Sequence, residues 1–322
     1  MSFWEPIRFR PRLNAFLERF TLTVADTTLF ADEGVYVPQE LVIQSKKGWI
    51  AIDWAEMYRY RELLFFLVWR DIKVRYKQTV LGFAWALLQP LLQSLIAVFI
   101  FGTAAGFQKL LPATVPYLLF ALSGQIPWQF FATGLGSGGM SLINQQHLLT
   151  KIYFPRLFLP TGVVGGALVD LLISFTLVIA FMIVYHFSPT YHFVPTWKII
   201  FVPFLIIPVT IATLGVAYFL SAVTVTYRDF RFLVPFMVQI WMQMSFVMFP
   251  RELLLQRPKL AHYEWILAFN PMYGIIQAFR HFALGMEWNW HHLVIGTAVA
   301  VVMCVFGMFY FRKTERRFAD IA

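Results

Sequence analysis

Apolar and polar positions are segregated into long blocks along this chain. Six apolar runs stand out, at about 80–107, 115–136, 158–186, 198–225, 232–249 and 290–311. A helix needs about 20 apolar residues to cross hydrocarbon, so five runs are ample and 232–249 lies near the lower limit. All six are predicted to be helices, because only helices and closed barrels satisfy their backbone polar groups in lipid. The period-two alternation of a barrel strand is absent.

One further segment is too apolar for a soluble surface and too charged to span. Residues 54–77 read WAEMYRYRELLFFLVWRDIKVRYK. Seven apolar residues, Leu63 to Trp69, are closed by Arg61 and Glu62 before them and by Arg70 and Asp71 after. The pattern predicts an amphipathic helix in the membrane interface, feeding directly into the first span. Near the other end, 250–289 is no ordinary polar loop. WILAFNPMYGIIQAF (265–279) is apolar but broken at Asn270-Pro271, and each half is too short to span. Two short re-entrant helices meeting at Pro271 are expected, packed against protein.

Composition agrees with this pattern. Of 322 residues, 59% are hydrophobic and 13% charged, where a soluble domain has about 25% charged residues. The formal charge of +9 is read as cytoplasmic Lys and Arg rather than a nucleic-acid surface, since no nucleic-acid module accompanies it. With the N-terminus inside, cytoplasmic segments hold 20 Lys and Arg and outer segments hold 6. Both termini are therefore expected in the cytoplasm, although the first 77 residues contribute most of the excess. No cleavable signal is visible in the leader 1–53, where VYVPQELVIQ (35–44) suggests a short strand before a Lys46-Lys47-Gly48 turn. The tail 312–322 is polar.

Candidate chemistry is sparse. No GxxxxGK[ST] is present, so ATP is not bound by that route. GLGSGG (134–139) matches GxGxxG, but it follows an apolar helix, which favours close helix packing over a phosphate loop. Cys304 is the lone cysteine, and the seven histidines form no HExxH. No metal site and no cofactor is expected on this chain. Asp170 is the one acidic residue within a span, which argues against a carboxylate relay for protons and leaves it either functional or paired.

Two sets of residues suggest transport. Gln89 and Gln93 share a face of the first span with Trp85, and Gln239 and Gln243 are likewise four apart around Trp241 in the fifth. Amides beside aromatic rings suit a neutral, hydroxyl-rich cargo, and they equally suit interhelical hydrogen bonding. Pro90 should free a backbone carbonyl one turn earlier. In MSLINQQHLLTKIYFPRLFLP (140–160), a short helix is expected from Asn144 to about Tyr153, stopped by Pro155. Its Leu148, Leu149, Ile152 and Tyr153 suit docking into a partner's groove, or a loop hugging the membrane.

WRDIKVRYKQTVLGFAWALLQPLL (69–92), NQQHLLTKIYFPRLFLP (144–160), TYRDFRFLVP (226–235) and NPMYGIIQAFR (270–280) together resemble the membrane subunits of type 2 ABC transporters that export polysaccharide: O-antigen, capsule or teichoic acid. The likeness covers about 48–318 and leaves residues 1–47 outside. It implies an all-α permease with six transmembrane helices per subunit (78–311) in a bacterial inner membrane. Its partners would be a second copy, two ATP-binding cassette subunits carrying ATP and Mg, membrane lipids and a lipid-linked polysaccharide. It implies that 54–77 is a gate helix using Trp69, Arg70, Lys73 and Arg75. Segment 144–156 would couple to the ATPase through His147, Leu148, Leu149, Lys151 and Tyr153. Segment 251–283 would gate the outer exit through Asn270, Pro271 and Tyr273, and Trp85, Gln89, Gln93, Gln239, Trp241 and Gln243 would line the channel. The alternatives are an exporter of a lipid or drug, and a membrane-embedded glycosyltransferase working through Asp170 or Asp229.

Overall fold

The structure, a computed structural model, describes residues 54–77, 82–149, 154–227 and 229–315. The strand expected at 35–44, the rest of the leader, and Lys151, Ile152 and Tyr153 lie outside the described residues. Every regular element among the described residues is helical. The 54–77 segment forms two helices rather than one, α1 (Trp54–Arg59) and α2 (Arg61–Lys77), which meet at Tyr60. Its polarity is arranged along α2, not around it. Leu67 is buried while Phe65, Phe66 and Trp69 are all more than half exposed, so the helix has an apolar middle between charged ends, with little separation into faces.

The first long run becomes α3 (Ala84–Ala97), which widens into a π-helical stretch at Val98–Ala104. Next comes α4 (Tyr117–Gly139), 23 residues and about 34 Å long. Two single turns follow, α5 (Ser141–Asn144) and α6 (Gln146–Leu149), broken at Gln145. The expected docking helix thus begins earlier than Asn144 and is interrupted. Then come α7 (Phe158–His186), a 3-10 stretch Trp197–Leu205 running into α8 (Ile206–Thr226), and α9 (Phe230–Met244). The last part contains α10 (Glu252–Leu255), α11 (Pro258–Ala261), α12 (Glu264–Leu267), α13 (Pro271–Leu284) and α14 (Trp290–Glu315).

Among the described residues, four helices are long and apolar enough to cross a membrane: Ala84–Ala104, Phe158–His186, Trp197–Thr226 and Trp290–Glu315. The other two expected spans differ for separate reasons. α4 has the length but carries Gln125, Pro127 and Gln129, and it is buried along most of its course. A helix that meets protein on all sides need not be as apolar as one that meets lipid. α9 has 15 residues, about 22 Å, against a hydrocarbon core of about 30 Å. Its run was expected to reach 249, but the chain turns after Met244, where Phe246 takes a φ of 53°. That strained backbone is held from outside, since Arg280 donates to the carbonyls of Phe246 (3.0 Å) and Val247.

α4 is the hub, flanked by α7 and α8, with α3, α9 and α13 on its remaining sides. The GLGSGG glycines close the α4–α8 contact. A methyl at Gly138 would stand 3.0 Å from Ala217 Cβ, and one at Gly139 would stand 3.1 Å from Leu220 Cβ, while one at Gly136 would meet open space. α8 and α14 approach by the same device, with Gly215 against the Cys304 backbone and Gly307 against the Gly215 carbonyl.

Beyond α9 the chain departs from the expected pair of re-entrant helices. The part before Pro271 is three isolated turns, and the part after it is one 14-residue helix buried over most of its length. Asn270 explains the sharp join. Its Oδ1 caps α13 through Met272 N (3.1 Å), and Pro271 fills the first helical position, where no N–H is needed.

Candidate functional site

α2 follows α7 rather than crossing it. Leu67 lies over Gly162, Val68 over Gly165 and Asp71 over Gly166, so successive residues of one helix match successive residues of the other in the same direction. The small residues of α7 make this approach possible. At the end of the contact, Arg75 pairs with Asp170, and the Tyr76 hydroxyl donates to the other carboxylate oxygen. Asp170 is thus a paired carboxylate with two donors from the gate segment. Nearer the start of α2's second half, Arg70 bonds both Asp71 (2.8 Å) and Gln145 Oε1 (2.8 Å). Gln145 is the break between α5 and α6, so the proposed gate segment and the proposed docking segment touch directly.

Beside the Arg75–Asp170 pair is a cavity of about 280 Å3, walled by α2, α3, α4 and α7. Trp85 and Gln89 reach it from α3, and Gln129 and Thr133 reach it from α4. Both pairs are four residues apart, which sets each pair on one helix face. Pro90 also borders the cavity. Its ring nitrogen has no hydrogen to give the carbonyl of Ala86, and Ser174 of α7 donates to that carbonyl instead (2.7 Å). The carbonyl freed by Pro90 is therefore met by a neighbouring helix.

The remaining expected channel residues scatter. Gln93 turns away from the cavity and accepts a hydrogen bond from Gln125 of α4, an interhelical clasp. Gln239 and Gln243 are exposed on α9. Trp241 points the other way, with its ring edge-on to Phe131 at 5.0 Å and its Nε1 donating to Asn270 Oδ1 (3.0 Å). Two residues between glutamines at i and i+4 fall on the opposite side of a helix, so the three do not line one surface of this chain.

The outer-gate set is a clasp as placed here. Asn270 joins the end of α9 to α13 through Trp241, Ser245 (3.0 Å) and Met272. Pro271 and Tyr273 are buried, and Tyr273 stacks edge-on against Phe246 and His292. Glu264 ties the preceding turns through Arg251 and lies 3.4 Å from the Tyr273 hydroxyl. Of the docking residues, His147 is exposed, Leu148 is half-buried against the cluster around Leu142 and Phe158, and Leu149 closes α6. Trp69 and Lys73 are exposed on α2. Asp229 precedes α9 without capping it by its side chain.

Sequence reasoning passed over Gln129, Thr133 and Gln145. The first two carry the same i, i+4 signal that marked Gln89 and Gln93, but they sit in the run most easily read as lipid-facing. Gln145 gave no signal, because its partner Arg70 is 75 residues away.

Residues 62–284 match the family of ABC-2 type transporters. Over 225 residues the chain is 32% identical to the O-antigen export system permease protein RfbA of Myxococcus xanthus, covering 70% of this chain and 81% of that protein. It is 26% identical over 261 residues to a protein of the same name from Klebsiella pneumoniae, covering 81% of this chain and 95% of the relative.

Proposed function

This chain belongs to the ABC-2 type transporter family, and from that premise we propose that it is the transmembrane permease of an exporter of lipid-linked, O-antigen-like polysaccharide. The observation that carries the cargo is the likeness to two O-antigen export permeases over 70% and 81% of the chain. The family match runs from the start of α2 to the end of α13, so it takes in the gate, docking and outer-exit segments and leaves α1 and α14 outside. We read the chain as six spans, with α4 the central one and α9 a short one. Both termini are placed in the cytoplasm of a bacterial inner membrane, and α10 to α13 form the outer cap.

A permease of this kind works as a pair with two separate ATP-binding cassette subunits, which carry the ATP and Mg. In this reading α5, α6 and the following residues, Lys151 and Tyr153 included, dock on that partner. Its movement reaches α2 through Gln145 and Arg70, and reaches the third span through Arg75 and Asp170. The exposed amides of α9 face the second copy across the export path, with Trp85 and Gln89 at the inner end. A membrane-embedded glycosyltransferase is less well supported, because Asp170 is already engaged by Arg75 and Tyr76.

The test is purification of the tagged chain from its native membrane after crosslinking, with mass spectrometry of what stays bound. A stoichiometric protein carrying a Walker A motif is expected, and deletion of the chain should trap lipid-linked polymer inside the cell. Leu148→Asp with Leu149→Asp should abolish surface polymer while leaving the purified permease folded. Turnover of a nucleotide sugar by the isolated chain, lost in Asp229→Asn, would replace this reading with the enzyme.

A further inference from the structure

The cavity between α2, α3, α4 and α7 has chemistry that helix packing does not use. Gln89, Gln129 and Thr133 border it, and none has a hydrogen-bond partner among the described residues. They come from two facing helices, so three polar groups converge on one space. Gln93, one turn further along α3, is instead paired with Gln125 of α4. Gln89 is exposed and Gln129 and Thr133 are half-buried, so their hydrogen-bonding groups are open to a ligand that enters the cavity with matching hydroxyls.

The walls also fix the kind of ligand. The charges at the rim are Arg75 and Asp170, which neutralise one another. An anion would have to break that pair to gain its cation. Trp85 adds an indole to the lining, a surface suited to the apolar C–H face of a ring that carries hydroxyls at its edge. At about 280 Å3 the space lies just below the range for drug-sized ligands, which limits it to one small ring.

We propose that this cavity is a binding site within the single subunit for one uncharged, hydroxyl-bearing ring, such as one sugar unit. Gln89, Gln129 and Thr133 bond its hydroxyls, and Arg75, Tyr76 and Asp170 close the rim. The source of the ring rests on the glycan-export reading, but the binding site itself does not. The site is separate from the surface of α9, where Gln239 and Gln243 are exposed.

The test is saturation-transfer NMR on the full chain in a detergent without a sugar headgroup. The probes are a panel of methyl pyranosides, with cyclohexanol and inorganic pyrophosphate as comparisons. At least one pyranoside should receive saturation, and cyclohexanol and pyrophosphate should not. Gln129→Leu with Thr133→Val should lower the transfer at least fivefold, and Thr176→Val, an exposed change on α7, should leave it intact. Size-exclusion profiles establish that each variant is folded, and Thr133→Val alone, which keeps the side-chain shape, should still weaken binding. No transfer from any pyranoside to folded wild-type chain overturns the proposal. Equal transfer in the cavity variants does so as well, as does displacement of the pyranoside by pyrophosphate. If the binding pattern holds but deletion of the chain leaves polymer export unchanged, the site stands and the export reading falls.

Discussion

Pro90 and Ser174 form a pair whose energetics can be isolated. Pro90 sits inside α3 and leaves the Ala86 carbonyl without its usual partner; Ser174 donates to it across the α3–α7 contact at 2.7 Å. In a membrane helix bundle such a bond contributes about 0.6 kcal/mol on average and up to about 1.7 kcal/mol. The upper end applies here, because Ser174 is buried and the carbonyl has no backbone N–H to fall back on. Ser174→Ala should therefore destabilise the chain by about 1–1.7 kcal/mol. Pro90→Ala restores an N–H to the i−4 carbonyl, so in that background the serine is redundant. The same Ser174→Ala change should then cost less than about 0.5 kcal/mol. The four proteins are compared by reversible denaturation in detergent, and the coupling energy is the difference between the two losses. Equal losses in both backgrounds would refute the argument, because the hydroxyl would then be contributing helix packing rather than replacing the missing N–H.

Three other sites offer contrasts. Gly138→Ala should cost about 1–3 kcal/mol by forcing α4 from Ala217, whereas the Gly136→Ala methyl meets nothing within 4 Å and should change stability only through helix propensity; thermal unfolding of both separates packing from propensity. Arg280→Met strands the Phe246 and Val247 carbonyls and frees a strained φ, so it should cost at least about 3 kcal/mol and expose the α9–α10 link to limited proteolysis. His281 accepts from Lys198 at 3.1 Å while its other ring nitrogen donates to Met286 O, an arrangement open only to the neutral ring. Burial holds its pKa below 6.5, helped by Lys198. The native state then binds fewer protons than the unfolded one, so stability should be full above pH 6.5 and fall as pH drops below it, and His281→Gln should flatten that slope in melting curves.

How far the sequence reveals this molecule depends on which neighbour each helix meets. α7, the continuous helix Trp197–Thr226 and α14 are strongly apolar over their spanning windows, and their limits follow from hydropathy to within a few residues. α4 is harder, because a helix surrounded by protein can carry Gln125 and Gln129 and still lie at the centre. The apolar middle of α2 between charged ends is legible in the run Leu63 to Trp69, but its fit to α7 depends on glycines about 95 positions away. The break at Asn270-Pro271 is local chemistry and could be read directly. The turn at Phe246 could not, since it is imposed by an arginine 34 residues later. Long-range polar contacts such as Arg70–Gln145 leave no trace in one sequence.

The exposed faces of α3 and α9 raise a question that apolar exposure cannot answer alone. Phe99 on the extension of α3 and Phe232 and Phe236 on α9 are largely uncovered, yet lipid would cover them as well as protein would. The amides decide it. Gln239 and Gln243 are exposed on α9 beside Ile240 and Met244, and an unpaired amide facing hydrocarbon is costly. That face must therefore meet a polar partner or water. In a Cys304→Ser background, cysteines placed at 239 and 243 should react rapidly with a charged, membrane-impermeant thiol reagent in oriented vesicles or on one face of intact cells. A cysteine at the exposed Val302 of α14 should not, because its neighbours Val301, Val305 and Phe306 are exposed too and offer no polar group on that face. In a paired permease the 239 cysteines of two copies should also crosslink through a short bifunctional reagent. Equal protection at all three positions would place the α9 amides in lipid, and the export path would have to be sought elsewhere in the bundle.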